Sequence, residues 1–100
     1  MITEEEGQKL VTLARDSINT FLTKQHLAVD EEINSDEVNG VVVKLRRDGE
    51  VIGECAILGS GLPVTRLVVE ASREATLKNE ITDLNRVEVQ VSLLSTPEPI

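Results

Sequence analysis

Apolar residues recur at helical spacing near the start of the chain: Leu10, Ala14, Ile18 and then Phe21 or Leu22 fall three or four residues apart, with Val11 and Leu13 widening the stripe. Such a run has one dry face and predicts a helix through about residue 24. Thr3 and Glu6 have the spacing of a capping box, in which the Thr hydroxyl accepts the N3 amide and the Glu carboxylate reaches back to the cap amide. Glu4, Glu5 and Glu6 fall in the first turn, where the positive end of the helix dipole favours carboxylates. Residues 25–37 then carry Asp30, Glu31, Glu32, Asp36 and Glu37 around a lone Ile33, which predicts an exposed connection rather than a packed element.

After this the period changes to two. Val41 to Leu45 and Val51 to Leu58 are apolar and β-branched runs on either side of Asp48-Gly49, a favoured hairpin turn. Val41, Val43 and Leu45 point one way and Val42, Lys44 and Arg46 the other, so one face of the sheet is dry and the other at least partly wet. Gly59, Ser60 and Gly61 break the pattern, and Pro63 suits the first turn of a second helix. Val64, Leu67, Val68, Ala71 and Ala75 give that helix a buried stripe to about Lys78, with Arg66, Glu70, Arg73 and Glu74 outside. Val87, Val89, Val91 and Leu93 alternate with Glu88, Gln90, Ser92 and Leu94 in a last strand, which Thr96-Pro97-Glu98-Pro99 cannot extend, since proline lacks the amide donor. The order helix, strand, strand, helix, strand predicts an α+β fold: a three-stranded, mainly antiparallel sheet with both helices on its apolar face, and one domain over residues 1–100.

Composition limits what such a domain can do. Of 100 residues, 40% are hydrophobic, and Phe21 is the only aromatic, so the core is built from Val, Leu, Ile and Ala. A small aliphatic core leaves a narrow stability margin, and a homo-oligomer or a protein partner that buries more apolar surface is expected. A net charge of −8 repels a phosphate backbone, and there is neither a basic stripe nor a set of aromatics on which bases could stack, which argues against nucleic-acid binding. Lys44, Arg46 and Arg47 beside the turn read as a solvated strand end. No apolar run approaches the roughly 20 residues that cross a bilayer, and no basic and apolar leader opens the chain, so a cytoplasmic protein without membrane attachment is expected. Met1 just before a helix cap points to a true start, while the end after Pro99 leaves open a natural short protein or an excised piece.

Three stretches together resemble the AMMECR-type domain family, named after a human chromosomal region linked to Alport syndrome, midface hypoplasia and elliptocytosis. They are Thr3-Glu4-Glu5-Glu6-Gly7 with Leu10, Leu13-Ala14-Arg15 and Ile18; Gly40-Val41-Val42-Val43 with Asp48-Gly49-Glu50; and Leu84 followed by Val87 through Ile100. Family domains are nearly twice this length, so the resemblance implies a shortened, divergent member lacking the C-terminal part. The family hallmark after the hairpin turn is Leu-Arg-Gly-Cys-Ile-Gly. Without gaps, Val51-Ile52-Gly53-Glu54-Cys55-Ala56 stands there, keeping Gly53 but placing Ile52 at the arginine and Glu54 at the cysteine. A one-residue bulge would instead align Cys55 with the cysteine and Glu54 with a glycine, and under either frame the arginine is lost. Family members are often encoded beside Memo-type and radical-SAM proteins, which implies a shared pathway.

Candidate chemistry therefore gathers at one strand. Cys55 and Glu54 are the catalytic candidates, and Gly53, Gly59 and Gly61 the candidate ligand-binding positions. A thiol nucleophile needs a base or cation beside it, and His26 is the only imidazole. Against that, a strand cysteine among apolar neighbours is usually an inert core residue, a lone strand acid is usually solvated, and His26 after a helix reads as an exposed cap of the last carbonyls. The Gly59-Ser60-Gly61 turn lacks the lysine of a Walker loop and the third glycine of a dinucleotide fingerprint, so no cofactor is expected. One Cys and one His make neither a disulfide nor a structural zinc site, and a calcium loop begun at Asp30 would need glycine where Ser35 stands and an acid where Val41 stands, so no metal is expected. Two readings follow: a non-catalytic protein-interaction or accessory module that self-associates, or a small enzyme or ligand-binding protein using the strand around Gly53 to Cys55.

Overall fold

The computed structural model of the chain describes residues 2–27, 29, 32–35, 38–59 and 62–95. Its elements are α1 (Glu4–Thr23), β1 (Val38–Arg47), β2 (Glu50–Leu58), α2 (Val64–Lys78) and β3 (Val87–Ser95), in the order the periodicity predicts. Both halves of the capping box form: the Glu6 amide donates to Thr3 Oγ1 at 3.1 Å, and the Thr3 amide donates to Glu6 Oε1 at 3.2 Å. Helix α1 ends where Lys24 turns left-handed at φ 57°, and the Gln25 amide donates to the Thr20 carbonyl at 2.8 Å. Backbone, not His26, caps this end. His26 is exposed beyond it.

The sheet is antiparallel with strand order β2-β1-β3. Asp48 and Gly49 both have positive φ, 52° and 85°, as a two-residue turn that follows the right-handed strand twist demands. Strand β1 begins at Val38, ahead of the predicted Val41, because Gly40 lets the strands close around it. A Cβ there would lie 2.8 Å from the Ile57 carbonyl oxygen and 2.9 Å from Leu58 Cδ2. β1 is hydrogen-bonded on both sides, and Val41, Val43 and Leu45 are fully buried on its inner face. α2 packs across β1 and β2, whereas α1 packs on β3 and on α2. The apolar stripes of both helices, Leu10, Ala14 and Ile18 on α1 and Val64, Leu67, Val68, Ala71 and Ala75 on α2, complete the core.

Small residues line these buried helix faces, and their hydroxyls are satisfied within their own helix. Ser17 donates to the Leu13 carbonyl at 2.7 Å, Ser72 to Val68 at 2.7 Å, and Thr76 to Ser72 at 2.8 Å. Each such bond removes the desolvation penalty of a buried polar atom. At the other end of the sheet, Arg47 pins the α2–β3 connection: Nε donates to the Asn85 carbonyl at 3.1 Å, and Nη2 donates to Asp83 Oδ1 at 3.1 Å. Arg46 Nε donates to Gln90 Oε1 at 2.9 Å. The two arginines are therefore occupied by the chain's own groups and do more than solvate a strand end. Among the described residues no helix is long and apolar enough to cross a membrane.

Two further expectations are corrected. The connection over residues 25–37 is not wholly exposed: Ile33 retains 3% of its accessibility and joins the core. Its carbonyl also accepts the Val64 amide at 2.8 Å, satisfying one of the orphan donors of α2. Pro63 is not inside α2 but is its N-cap, at φ −57° and ψ 138°, with its carbonyl accepting the Arg66 and Leu67 amides at 3.1 and 3.2 Å. Asp30, Glu31, Asp36 and Glu37, Ser60 and Gly61, and the proline-rich end from Thr96 lie outside the described residues. Because Ile33 is a core residue, Ile33→Ala is expected to cost about 2–4 kcal/mol, read from the urea midpoint at constant m-value. A loss below about 0.5 kcal/mol would return the connection to the surface.

Candidate functional site

The placement of Gly53, Glu54 and Cys55 is decided by a β-bulge. Leu45 opposes Gly53 while Arg46 opposes Val51, so Ile52 is an extra residue in β2. From Gly53 onward the strand is back in phase. Gly53, Cys55 and Ile57 face Leu45, Val43 and Val41 on the helix side, and Glu54 lies opposite Lys44 on the uncovered side. The two catalytic candidates thus leave the strand in opposite directions. Glu54 is exposed, and Cys55 is half-buried against the core.

Gly53 sits under the C-terminal end of α2. A Cβ at this position would come within 3.2 Å of Asn79 Nδ2, 3.3 Å of Asn79 Cβ and 3.4 Å of the Ala75 carbonyl oxygen, and Asn79 Nδ2 donates to that same carbonyl at 2.8 Å. The glycine is thus explained by close approach of the helix end. Gly59 is six residues further along, about 20 Å away at strand rise. There an added Cβ would meet Leu62 Cδ1 at 3.2 Å and Leu67 Cδ2 at 3.3 Å. The two glycines do not converge on one point, and Gly61 lies outside the described residues.

The surroundings of Cys55 work against thiolate formation. Burial pushes the thiol above its ordinary value, the Glu74 carboxylate on α2 pushes it the same way, and the Lys78 ammonium opposes both. The thiol makes only a weak contact, donating to the Ala56 carbonyl at 3.9 Å. His26 follows α1, which packs on β3, whereas Cys55 lies on β2 at the other edge of the sheet. Neither Glu74, Lys78 nor Asn79 was singled out by sequence for this site. Glu74 and Lys78 share one outer face of α2 by their spacing, but their nearness to β2 follows only from how the helix docks. Three open clefts among the described residues lie elsewhere and are lined by none of Gly53, Glu54 or Cys55. Among the described residues, no group of three or more His, Cys, Asp or Glu side chains is gathered to hold a metal ion, and no buried side-chain polar atom is left without a partner.

No family model matches the chain. It is 29% identical over 115 residues to the protein Mbar_A1807 of Methanosarcina barkeri, a match covering 100% of this chain and 55% of that protein. Its fold is similar to that of the uncharacterised protein PH0010 of Pyrococcus horikoshii, known from a crystal structure, with a TM-score of 0.76 and 22% identity over 99% of this chain and 56% of that one. The chain spans about half the length of each. At this level of identity the structural likeness shows a shared fold.

The thiol electrostatics have a sign that can be checked. A raised folded value favours the protonated thiol, so its contribution to stability is complete below the ordinary thiol pKa and is lost as alkaline pH passes the folded value. The rate of alkylation by iodoacetamide is expected to rise with a midpoint above that of a free thiol, to move down in Glu74→Gln and to move further up in Lys78→Gln. A midpoint near neutrality would show a cationic neighbour strong enough to make a nucleophile.

Proposed function

We propose that this chain is an AMMECR-like interaction or accessory module, non-catalytic and self-associating, that acts in the cytoplasm. The observation that carries this reading is the divergence of Glu54 and Cys55 to opposite faces of β2, with the Glu74 carboxylate rather than a cation leading the influences on the thiol after burial. A nucleophile and its activating group must lie within hydrogen-bond reach, and this strand separates the two candidates.

Under the AMMECR-like reading, the extra residue at Ile52 would give the one-residue shift that sets Cys55 at the hallmark cysteine and Glu54 at a glycine position. One observation favours a second reading, a small-ligand-binding or enzymatic strand end: Gly53 and Cys55 share the helix-facing side beside α2. There, however, Asn79 fills the space above Gly53.

Self-association is supported by the small aliphatic core and by apolar side chains left at the surface, including Leu58 at 75% exposure and Leu77 at 63%. Two chains of net charge −8 repel each other, so screening should help them meet. Sedimentation equilibrium is expected to show a concentration-dependent oligomer that tightens as sodium chloride is raised, and Cys55→Ala is expected to leave it unchanged. A monomer across micromolar to millimolar concentrations at every salt level would sink the proposal.

A further inference from the structure

The two helices and the three strands do not match in width. Strands lie about 4.8 Å apart and packed helices about 9 Å apart, so a pair of helices covers about four strands. Here α2 straddles β1 and β2, while α1 packs on the edge strand β3, so by this mismatch of widths α1 reaches past the sheet edge. Beneath the overhang is an open cleft of about 630 Å³, lined by Glu4, Gly7, Gln8, Val11, Thr12 and Val91. Val11 keeps 36% of its accessibility at this place, and Val91 is only half-buried, although both would be core positions under a fourth strand.

We propose that this cleft takes an extended peptide segment from a partner protein, apolar at alternate positions and basic between them, which adds as a fourth strand along β3. The proposal rests on the reading of the chain as an interaction module and names the surface that it would use. β3 offers what strand addition needs. It runs nine residues without proline, lysine or arginine, and it pairs with β1 without a register shift from Leu94 to Val87. Arg15 Nη1 already donates to the Val87 carbonyl at 2.8 Å, which sets one end of the free stretch near Glu88. The opposite edge is less suited, because the Ile52 bulge interrupts β2.

The partner's character follows from the walls. Inward side chains of an added strand would meet Val11, Val91 and the open space over Gly7, where an added Cβ touches nothing within 4 Å. Glu4 lies in the cleft wall, Glu88 projects from β3 on the uncovered side of the sheet, and among the described residues no cationic side chain lines the cleft, Arg15 being engaged with the Val87 carbonyl at its end. With Glu4 as the charged residue in the described lining and a net charge of −8 on the chain, the groove favours a basic strand and disfavours an acidic one. A second copy of this chain meets the opposite condition, since its own β3 carries Glu88 and its own α1 would occupy the same space.

The test is fluorescence anisotropy with a labelled synthetic peptide, Lys-Val-Lys-Val-Thr-Val-Lys-Val. Variants of the peptide carry Glu in place of Lys, or Pro at the fourth position. The basic peptide is expected to bind, the other two to bind at least about tenfold more weakly, and Val11→Lys or Gly7→Lys to weaken the basic peptide by about tenfold, with circular dichroism unchanged. Ala56→Lys, on the uncovered face of the sheet, is expected to leave peptide binding unchanged. Equal binding of the proline peptide would overturn strand addition. No peptide binding, together with an oligomer that Val11→Lys dissociates, would assign the cleft to a second copy and leave the interaction reading intact. No peptide binding by a strict monomer would remove both.

Discussion

The fold depends on β1 being paired on both sides and dry on one face. Its backbone groups are taken by β2 and β3, and Val41, Val43 and Leu45 are removed from water by the helices. In a chain with a single aromatic residue, burial of branched aliphatic side chains at about 25 cal/mol per Å² is the main term available to offset chain entropy. The central strand is where that term is largest. Everything else is positioned relative to it: the hairpin turn sets β2, the Arg47 contacts set the return into β3, and α2 is held over both strands of the hairpin.

This central placement explains why most of the architecture can be read in the sequence. Period-two alternation in Val41 to Leu45 and in Val87 to Leu93, and period-3.6 stripes in both helices, are direct consequences of having one dry face to cover. The capping box and the Asp48-Gly49 turn are local chemistry, and both form. Ile33 escapes the same logic. A single apolar residue among acids has no period, and its burial is decided by the long connection crossing the start of α2, a tertiary event. Pro63 is displaced by one position for a related reason, since the Ile33 carbonyl takes the Val64 amide and the helix can begin only after the proline.

The candidate site was legible in its residues but not in its geometry. Sequence leaves two frames for β2, and a one-residue difference reverses the face on which each side chain emerges. The bulge at Ile52 decides that Gly53 and Cys55 look toward α2 and Glu54 away from it. Bulges of this kind depend on how strand twist is matched to the helix layer, and no local motif near Ile52 announces one. The electrostatic character of Cys55 was likewise out of reach. It comes from Glu74 and Lys78, some twenty residues further along the chain, and only docking of α2 brings them beside β2. The glycine at position 53 then has a packing explanation in Asn79 that competes with a ligand-binding one.

The two sheet edges show how the same small core manages exposed hydrogen-bonding groups by different means. β2 has an extra residue near the turn and an acid at Glu54, so a regular ladder along it is broken near the turn. β3 is regular and nearly uncharged, and its protection comes from outside the strand. Arg15 occupies the Val87 carbonyl, and α1 leans over the edge. Protection by a helix beside the edge differs from protection by a bulge in one respect: it would disfavour a second copy that brings its own α1 to the same place, yet would leave room for a bare strand. An edge shielded in this way is selective rather than closed, and the acids around it add a preference of charge to the preference of shape.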